Sequence, residues 1–152
     1  MKKFIALAVF AALTAAAATS GSMFKPGLWY EALAKPDWTP PGWLFPIAWT
    51  VLYVMIALAG WFAWRAQGFG TSVAFWLAQL IFNAALSYIM FDQHQIGWAL
   101  VDLSAMWLMI VGFIVTVWNA SRVAAWLFVP YLAWATFAGV LNFAVWQMNP
   151  GV

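Results

Sequence analysis

The sequence has no cysteine and only one histidine, His94, among its 152 residues. The first absence excludes disulfides, thiolate chemistry and cysteine-based zinc sites. The second excludes a multi-histidine metal centre. Charge is equally scarce: six Lys/Arg and four Asp/Glu make 7% of the chain, against about 25% in soluble domains. A net charge of +2 is too small for a nucleic-acid footprint. Hydrophobic residues make up 67%, and the mean hydropathy is +0.90. A soluble fold of this size cannot hide so much apolar surface in one core, and the same composition excludes a disordered chain.

Five apolar runs approach the roughly 20 residues that span a bilayer: 4–23, 44–64, 71–91, 96–118 and 123–148. They predict an all-α integral membrane protein, a single membrane domain over 1–152 built as a five-helix bundle. The runs are continuously apolar, without the period-2 alternation of a β-barrel. The connections at 65–70, 92–95 and 119–122 are short, which makes consecutive helices antiparallel neighbours. The first run has a second reading. Met1-Lys2-Lys3, an apolar stretch and Ala15 to Ser20 also resemble a secretory signal peptide. The small-residue stripe Ala8, Ala12, Ala16, Ser20 favours a retained helix, because this spacing lets helix backbones approach closely.

The connection at 24–43 is long, and such loops are usually functional or disordered. Three Trp, one Tyr and four Pro argue for order: Pro lowers the entropy cost of fixing the chain, and aromatics favour burial. The segment is predicted to be an ordered lid with a short helical turn near 28–34. Lys2, Lys3, Arg65 and Arg122 collect at the end opposite the lid, which carries Lys25 and Lys35. By the positive-inside rule the N-terminus is cytoplasmic and the lid external, in a bacterial inner membrane.

Thirteen Trp exceed what a lipid-facing bundle needs. Interfacial belts account for Trp43, Trp61, Trp64, Trp98, Trp118, Trp126 and Trp146, all near span ends. Trp29 and Trp38 in the lid, and Trp49, Trp76, Trp107 and Trp134 within spans, fit belts poorly. In the fifth span, Tyr131, Trp134, Ala138, Leu141 and Asn142 share one face. That face is either a wall for a flat ligand or ordinary interhelix packing. Gln79, Asn83 and Ser87 share a face of the third span. They form a hydrogen-bonded seam, with Asn142 as a candidate partner, or part of a pocket; the two are compatible. Asp102, about six residues into the fourth span, is a proton relay or a structural carboxylate, and the lack of an intramembrane cation favours the second. His94 is an axial haem ligand or, better, a solvated loop residue. No nucleophile–base pair or carboxylate dyad appears.

These residues resemble the TspO / tryptophan-rich sensory protein family, which includes the mitochondrial translocator proteins (peripheral benzodiazepine receptors). The resemblance covers essentially the whole chain. Its most distinctive stretch is Trp29-Tyr30, Leu33, Lys35-Pro36, Trp38, Pro40-Pro41, Trp43, Pro46, Trp49 and Leu52-Tyr53. Gln79-Leu80 with Asn83, Gly97 to Leu103, and Pro130 to Trp134 followed by Ala138 and Leu141-Asn142 continue it in order.

The resemblance implies a homodimeric five-helix bundle that keeps its first helix. It also implies a pocket under the first loop for porphyrin, haem and isoquinoline-type drug ligands, with no obligatory cofactor. Carried over by position, that pocket comprises Trp29, Trp38, Pro40, Trp49, Tyr53, Asn83, Trp134, Ala138 and Asn142. The family is associated with tetrapyrrole transport, sensing or regulation and with stress responses. Some members are linked to light-dependent porphyrin breakdown, for which Trp49 and Trp134 are the catalytic candidates. Asp37 stands where some bacterial members carry a second lid Trp. Leu86-Ser87-Tyr88 replaces the usual Trp-x-Pro of the third helix, which puts the kink there in doubt. Phe143 and Gln147 break the animal sterol motif, so no sterol site is predicted. For the dimer, Ala74 and Ala78 offer a small-residue contact, in competition with the Ala-rich first helix.

Overall fold

A computed structural model describes residues 1–152. The chain is all helical: α1 (Lys2–Met23), the short lid helix α2 (Leu28–Ala32), α3 (Leu44–Gln67), α4 (Thr71–Ser87), α5 (Ile96–Val117) and α6 (Arg122–Met148). A π-helical turn, Tyr88–Asp92, extends α4. Five helices, counting α4 with that turn, are long and apolar enough to cross a membrane. Only 31 of 152 residues are buried. Large apolar side chains such as Ile47, Val51 and Val54 of α3 and Leu108 and Val115 of α5 point outward, a surface that suits lipid and would drive aggregation in water.

The long helices pack in a ring in the order α1, α3, α6, α5, α4. The consecutive pairs α4–α5 and α5–α6 lie flush. By contrast, α3 and α4 meet mainly through one wedge, with α1 seated in the groove between them. That wedge is Trp76, which is fully buried. Its indole Nε1 donates to the Ile56 carbonyl at 2.8 Å, and its ring meets Phe10 of α1 edge-on at 4.9 Å. A Cβ at Gly60 would lie 2.6 Å from the Trp76 ring and 2.7 Å from Phe10, so only glycine allows this three-helix contact. Trp107 likewise joins helices, donating from Nε1 to Thr136 Oγ1 at 2.8 Å across α5 and α6.

The side of α1 that faces the bundle differs from the expected stripe. Phe10, Thr14 and Ala17 are buried, whereas Ala8, Ala12 and Ala16 are exposed; of the expected stripe only Ser20 turns inward, its hydroxyl donating to the Ala84 carbonyl of α4. In an all-apolar helix a small-residue stripe marks close approach only if something lies opposite. Here Phe10 fits beside Gly60, which turns the other face inward. The third span also has its own solution at Tyr88. Where the resemblance led one to expect a proline, the helix widens into the π turn, with the Gln93 amide donating to the Tyr88 carbonyl at 3.0 Å. A wide turn redirects a helix without proline.

At the end away from the lid, Arg65 sits over the Trp61 ring at 4.8 Å and Arg122 over Trp118 at 4.7 Å. Trp61 also donates to the Lys3 carbonyl at 2.9 Å. Gly68, at φ +68, closes α3 in the left-handed region, its N–H bonding the Trp64 carbonyl. Ser121 caps α6 by accepting from the Ala124 amide at 3.2 Å.

Gly60→Ala is expected to destabilise the bundle by about 1–3 kcal/mol, the usual cost of overpacking, measured as thermal unfolding in detergent. Gly42→Ala, with nothing within 4 Å of its Cβ, should leave the midpoint unchanged. Equal midpoints for the two variants would remove Trp76 as the wedge.

Candidate functional site

The site is built on α6. Pro130 interrupts the helix ladder one residue before Tyr131, and residues at spacings of three and four then project toward α3 and α4. Tyr131 is fully buried. Its hydroxyl donates to Gln79 Oε1 at 2.8 Å and accepts from Asn83 Nδ2 at 2.9 Å. Asn83 Oδ1 in turn accepts from the Tyr53 hydroxyl at 3.0 Å, and Gln79 Nε2 donates to the Trp76 carbonyl at 2.8 Å. In an apolar interior each of these groups needs a partner from the protein itself. The seam expected at Gln79 and Asn83 is therefore present, but its partners are Tyr131 and Tyr53. Asn142 is not part of it.

Toward the lid the polar floor gives way to a cluster of rings. Trp49 lies 5.5 Å from Tyr53, 6.2 Å from Tyr131 and 6.5 Å from Trp134 between centroids. Trp134 touches Phe45 at 5.6 Å and Phe137 at 5.7 Å, and Phe137 meets the lid residue Trp38 edge-on at 6.0 Å. The contacts of Trp49 with Tyr131 and Trp134, and of Trp134 with Phe45, are edge-to-face, a favoured aromatic geometry, and those of Trp49 with Tyr53 and Trp134 with Phe137 are tilted.

Two buried polar atoms on this side of α6 have no partner: Trp134 Nε1 and Asn142 Oδ1. The amide nitrogen of Asn142 has only the Met90 sulfur, at 3.8 Å. Ala138 sits between Trp134 and Asn142, which are eight residues or roughly 12 Å apart along the helix. Leaving such groups unpaired costs on the order of 1–3 kcal/mol each. One face of α6 thus presents a donor, a small-residue gap and an acceptor.

The lid is held at its edges. Trp29 stacks on His94 at 4.2 Å and 14°, and Tyr30 meets Phe91 at 5.4 Å. His94 adopts φ +54, a region uncommon for a non-glycine residue. Lys35 Nζ lies 4.6 Å from the Tyr30 ring and donates to the carbonyls of Leu33 and Glu31 at 3.1 and 3.3 Å. Burial raises the Tyr30 phenol above its ordinary pKa, so it stays neutral. Asn149, just past α6, clasps Ala34 from both sides: its Oδ1 accepts from the Ala34 amide at 3.0 Å and its Nδ2 donates to the Ala34 carbonyl at 2.8 Å.

Of the nine residues expected to line a pocket, Trp38, Trp49, Tyr53, Asn83 and Trp134 fall in or against one aromatic and amide cluster. Ala138 and Asn142 continue along the same helix, and Pro40 is half-buried in the lid. Trp29 stands apart. It packs with Met90, Ile96, Ala99, Leu141 and Val145 and pins the lid through His94. That stack also shows His94 to be exposed yet engaged. Sequence reasoning overlooked Phe45 and Phe137, although Phe45 precedes Trp49 by four residues and Phe137 follows Trp134 by three, both same-face spacings. No three His, Asp or Glu side chains converge in the chain; the groups gathered at the cluster are ring faces and hydrogen-bonding side chains.

Fold and site together define a polytopic helical membrane protein with an aromatic interhelical site beneath an ordered lid. The sequence profile of the TspO/MBR family matches residues 4–147. The chain is 41% identical over 143 residues to the Tryptophan-rich sensory protein of Cereibacter sphaeroides, covering 92% of this chain and 89% of that protein. It is 37% identical over 151 residues to Protein CrtK of Rhodobacter capsulatus (95% and 92% covered). It is also 37% identical over 139 residues to the human Translocator protein (86% and 82% covered). The chain belongs to the TspO/MBR family.

Tyr131→Phe strips Gln79 Oε1 of its donor and Asn83 Nδ2 of its acceptor, and should cost about 1–3 kcal/mol in denaturation monitored by circular dichroism. Tyr53→Phe removes a single bond at a half-buried position and should cost less. The reverse order would show that Tyr131 is not the centre of the network.

Proposed function

We propose that this membrane protein binds flat tetrapyrroles, porphyrin or haem, as ligands rather than obligatory cofactors, in the space bounded by the lid, Trp49 and the Trp134 face of α6. The observation that carries the reading is the pair of unpartnered buried atoms, Trp134 Nε1 and Asn142 Oδ1, on either side of Ala138. A flat ligand that accepts at one position and donates at the other satisfies both while its faces lie against aromatic rings. In this reading the expected lining of Trp29, Trp38, Pro40, Trp49, Tyr53, Asn83, Trp134, Ala138 and Asn142 divides by role. Trp38, Trp49 and Trp134 stack on the ligand, Tyr53 and Asn83 hold the floor, Pro40 and Trp29 set the lid, and Asn142 orients. Isoquinoline-type drug ligands, flat and aromatic, suit the same face.

The sensory and translocator names of the relatives support a role in sensing or transport; that this role serves tetrapyrrole-linked or stress responses is part of the proposal. The gathering of Lys2, Lys3, Arg65 and Arg122 at one end supports a bacterial inner-membrane protein with a cytoplasmic N-terminus. A homodimer is part of the proposal. The exposed Ala74 of α4 and the outward Ala8, Ala12 and Ala16 of α1 are alternative contact faces.

Titration of the purified protein with protoporphyrin, followed by Trp quenching, should saturate. Trp134→Phe, which deletes the donor, and Asn142→Leu, which deletes the acceptor, should each weaken binding about tenfold, or roughly 1.4 kcal/mol. Unchanged affinity in both variants refutes the site as drawn.

A second reading has its own support. Trp49, Trp134 and Tyr131 are in ring contact and are oxidisable, so a porphyrin excited by light beside them has electron donors at hand. Under illumination the porphyrin absorbance should then fall faster with the protein than without it. The Trp49→Phe/Trp134→Phe double variant should abolish the difference at saturating porphyrin. Equal rates with and without protein would rule the photochemistry out.

A further inference from the structure

A second site lies outside the aromatic cluster. Between α4 and α5, a cleft of about 400 Å³ opens on the outer surface of the bundle. Phe82 and Ile89 form one wall and Val101 and Ala105 the other. Asp102 lies in this cleft, about 9 Å along α5 from its first turn at 1.5 Å per residue. The side chain is only 8% exposed, and its Oδ2 is buried with no hydrogen-bond partner. Trp98, 66% exposed, stands at the lid-side mouth with Gln93 and Gln95.

A carboxylate within a membrane span is costly and normally finds a partner. The structure shows no hydrogen-bond partner on Oδ2 and no ion pair from any of the six Lys and Arg side chains, Lys25 at the lid end of α1 included. Arg65, Arg122, Lys2 and Lys3 are at the far end of the bundle. On the lid side, His94 is stacked on Trp29 and Lys35 is bonded to the Leu33 and Glu31 carbonyls. The cleft therefore combines apolar walls, a desolvated acceptor at depth, amide groups at the rim and an indole at the entrance. Indole faces attract cations, and a volume of this order takes a small ligand with an apolar body. A neutral alcohol would give Asp102 a hydrogen bond but no counter-charge. A cationic headgroup gives both.

We propose that the α4–α5 cleft binds an amphiphilic amine, its ammonium group on Asp102 and its alkyl body against Phe82, Ile89 and Val101, entering from the lid-side leaflet. The lining of this cleft shares no residue with the Trp49–Trp134 cluster, although the Asp102 carboxyl lies within electrostatic reach of Tyr131, and the amine needs no tetrapyrrole to bind.

The test uses the full chain in phosphatidylcholine nanodiscs, with n-dodecylamine as probe and 1-dodecanol as its uncharged counterpart, read by native mass spectrometry. Saturable amine binding at least tenfold tighter than dodecanol is expected. Asp102→Asn, which keeps the shape, should lose at least tenfold in amine affinity while protoporphyrin binding stays unchanged. The retained porphyrin binding also reports that the variant is folded. Ala105→Phe, which fills the cleft and leaves Asp102 in place, should block the amine as well. Equal binding of dodecanol and dodecylamine, or undiminished amine binding by both variants, overturns the proposal. Phosphatidylethanolamine in the nanodiscs is itself an amphiphilic amine and should compete with dodecylamine for the native cleft, which supports the proposal. A change of oligomeric state in Ala105→Phe, with no amine bound by the native protein, makes the cleft a subunit contact and overturns it.

Discussion

The hydroxyl of Tyr131 joins α6 to α4 through two amides, and through Asn83 it reaches Tyr53 of α3. Lipid supplies no partner for a stray polar group, so these side chains are either satisfied together or all are penalised. That requirement fixes the rotation of three helices about their axes, which dispersion forces between apolar faces cannot do alone. Once α6 is oriented by Tyr131, the residues at the following same-face positions have no freedom of direction. Trp134, Ala138 and Asn142 face the lid-side interior because Tyr131 faces the floor. The pairing of polar atoms is complete at the floor and incomplete above it, and the difference marks where the proposed ligand enters the hydrogen-bond pattern.

The tryptophans divide by mechanical role. Some fasten the outer surface, as Trp61 and Trp118 do beneath arginine guanidinium groups. Trp76 and Trp107 lie within spans and serve packing: one wedges three helices against Gly60, and the other ties α5 to α6 through Thr136. Trp38, Trp49 and Trp134 form the aromatic cluster. Trp29 is a fastener of a different kind, holding the lid to the loop that follows the π turn. A large indole with one donor is suited to each of these tasks, because it fills space and still anchors to a single acceptor.

The five spans and the long lid were legible in the sequence because lipid imposes a length of apolar chain that soluble folds do not. The α6 face was legible as well, since one aromatic, one small and one amide residue recur at helical spacing. The facing of α1 was not. When nearly every residue of a helix is apolar, Ala8–Ala12–Ala16 and Phe10–Thr14–Ala17 are equally good stripes, and only the gap beside Gly60 chooses between them. The partner of Asn83 was misjudged for a related reason: Asn142 and Tyr131 lie on the same helix, and sequence spacing says nothing about depth relative to another helix. The π turn at Tyr88 was invisible because no residue type demands it. Trp29 was assigned to the pocket by family resemblance, and its stack on His94 depends on a left-handed backbone at a histidine that no pattern announces.

One rigid element carries both boundaries of the aromatic site. Tyr131 near the start of α6 belongs to the floor, and Asn149 at its end clasps the lid at Ala34. The eighteen steps from one to the other correspond to roughly 27 Å of helix. While the clasp holds, the distance from the Tyr131 floor to the lid at Ala34 is set by helical pitch, as by a ruler, so the lid cannot rise from the floor unless Asn149 lets go.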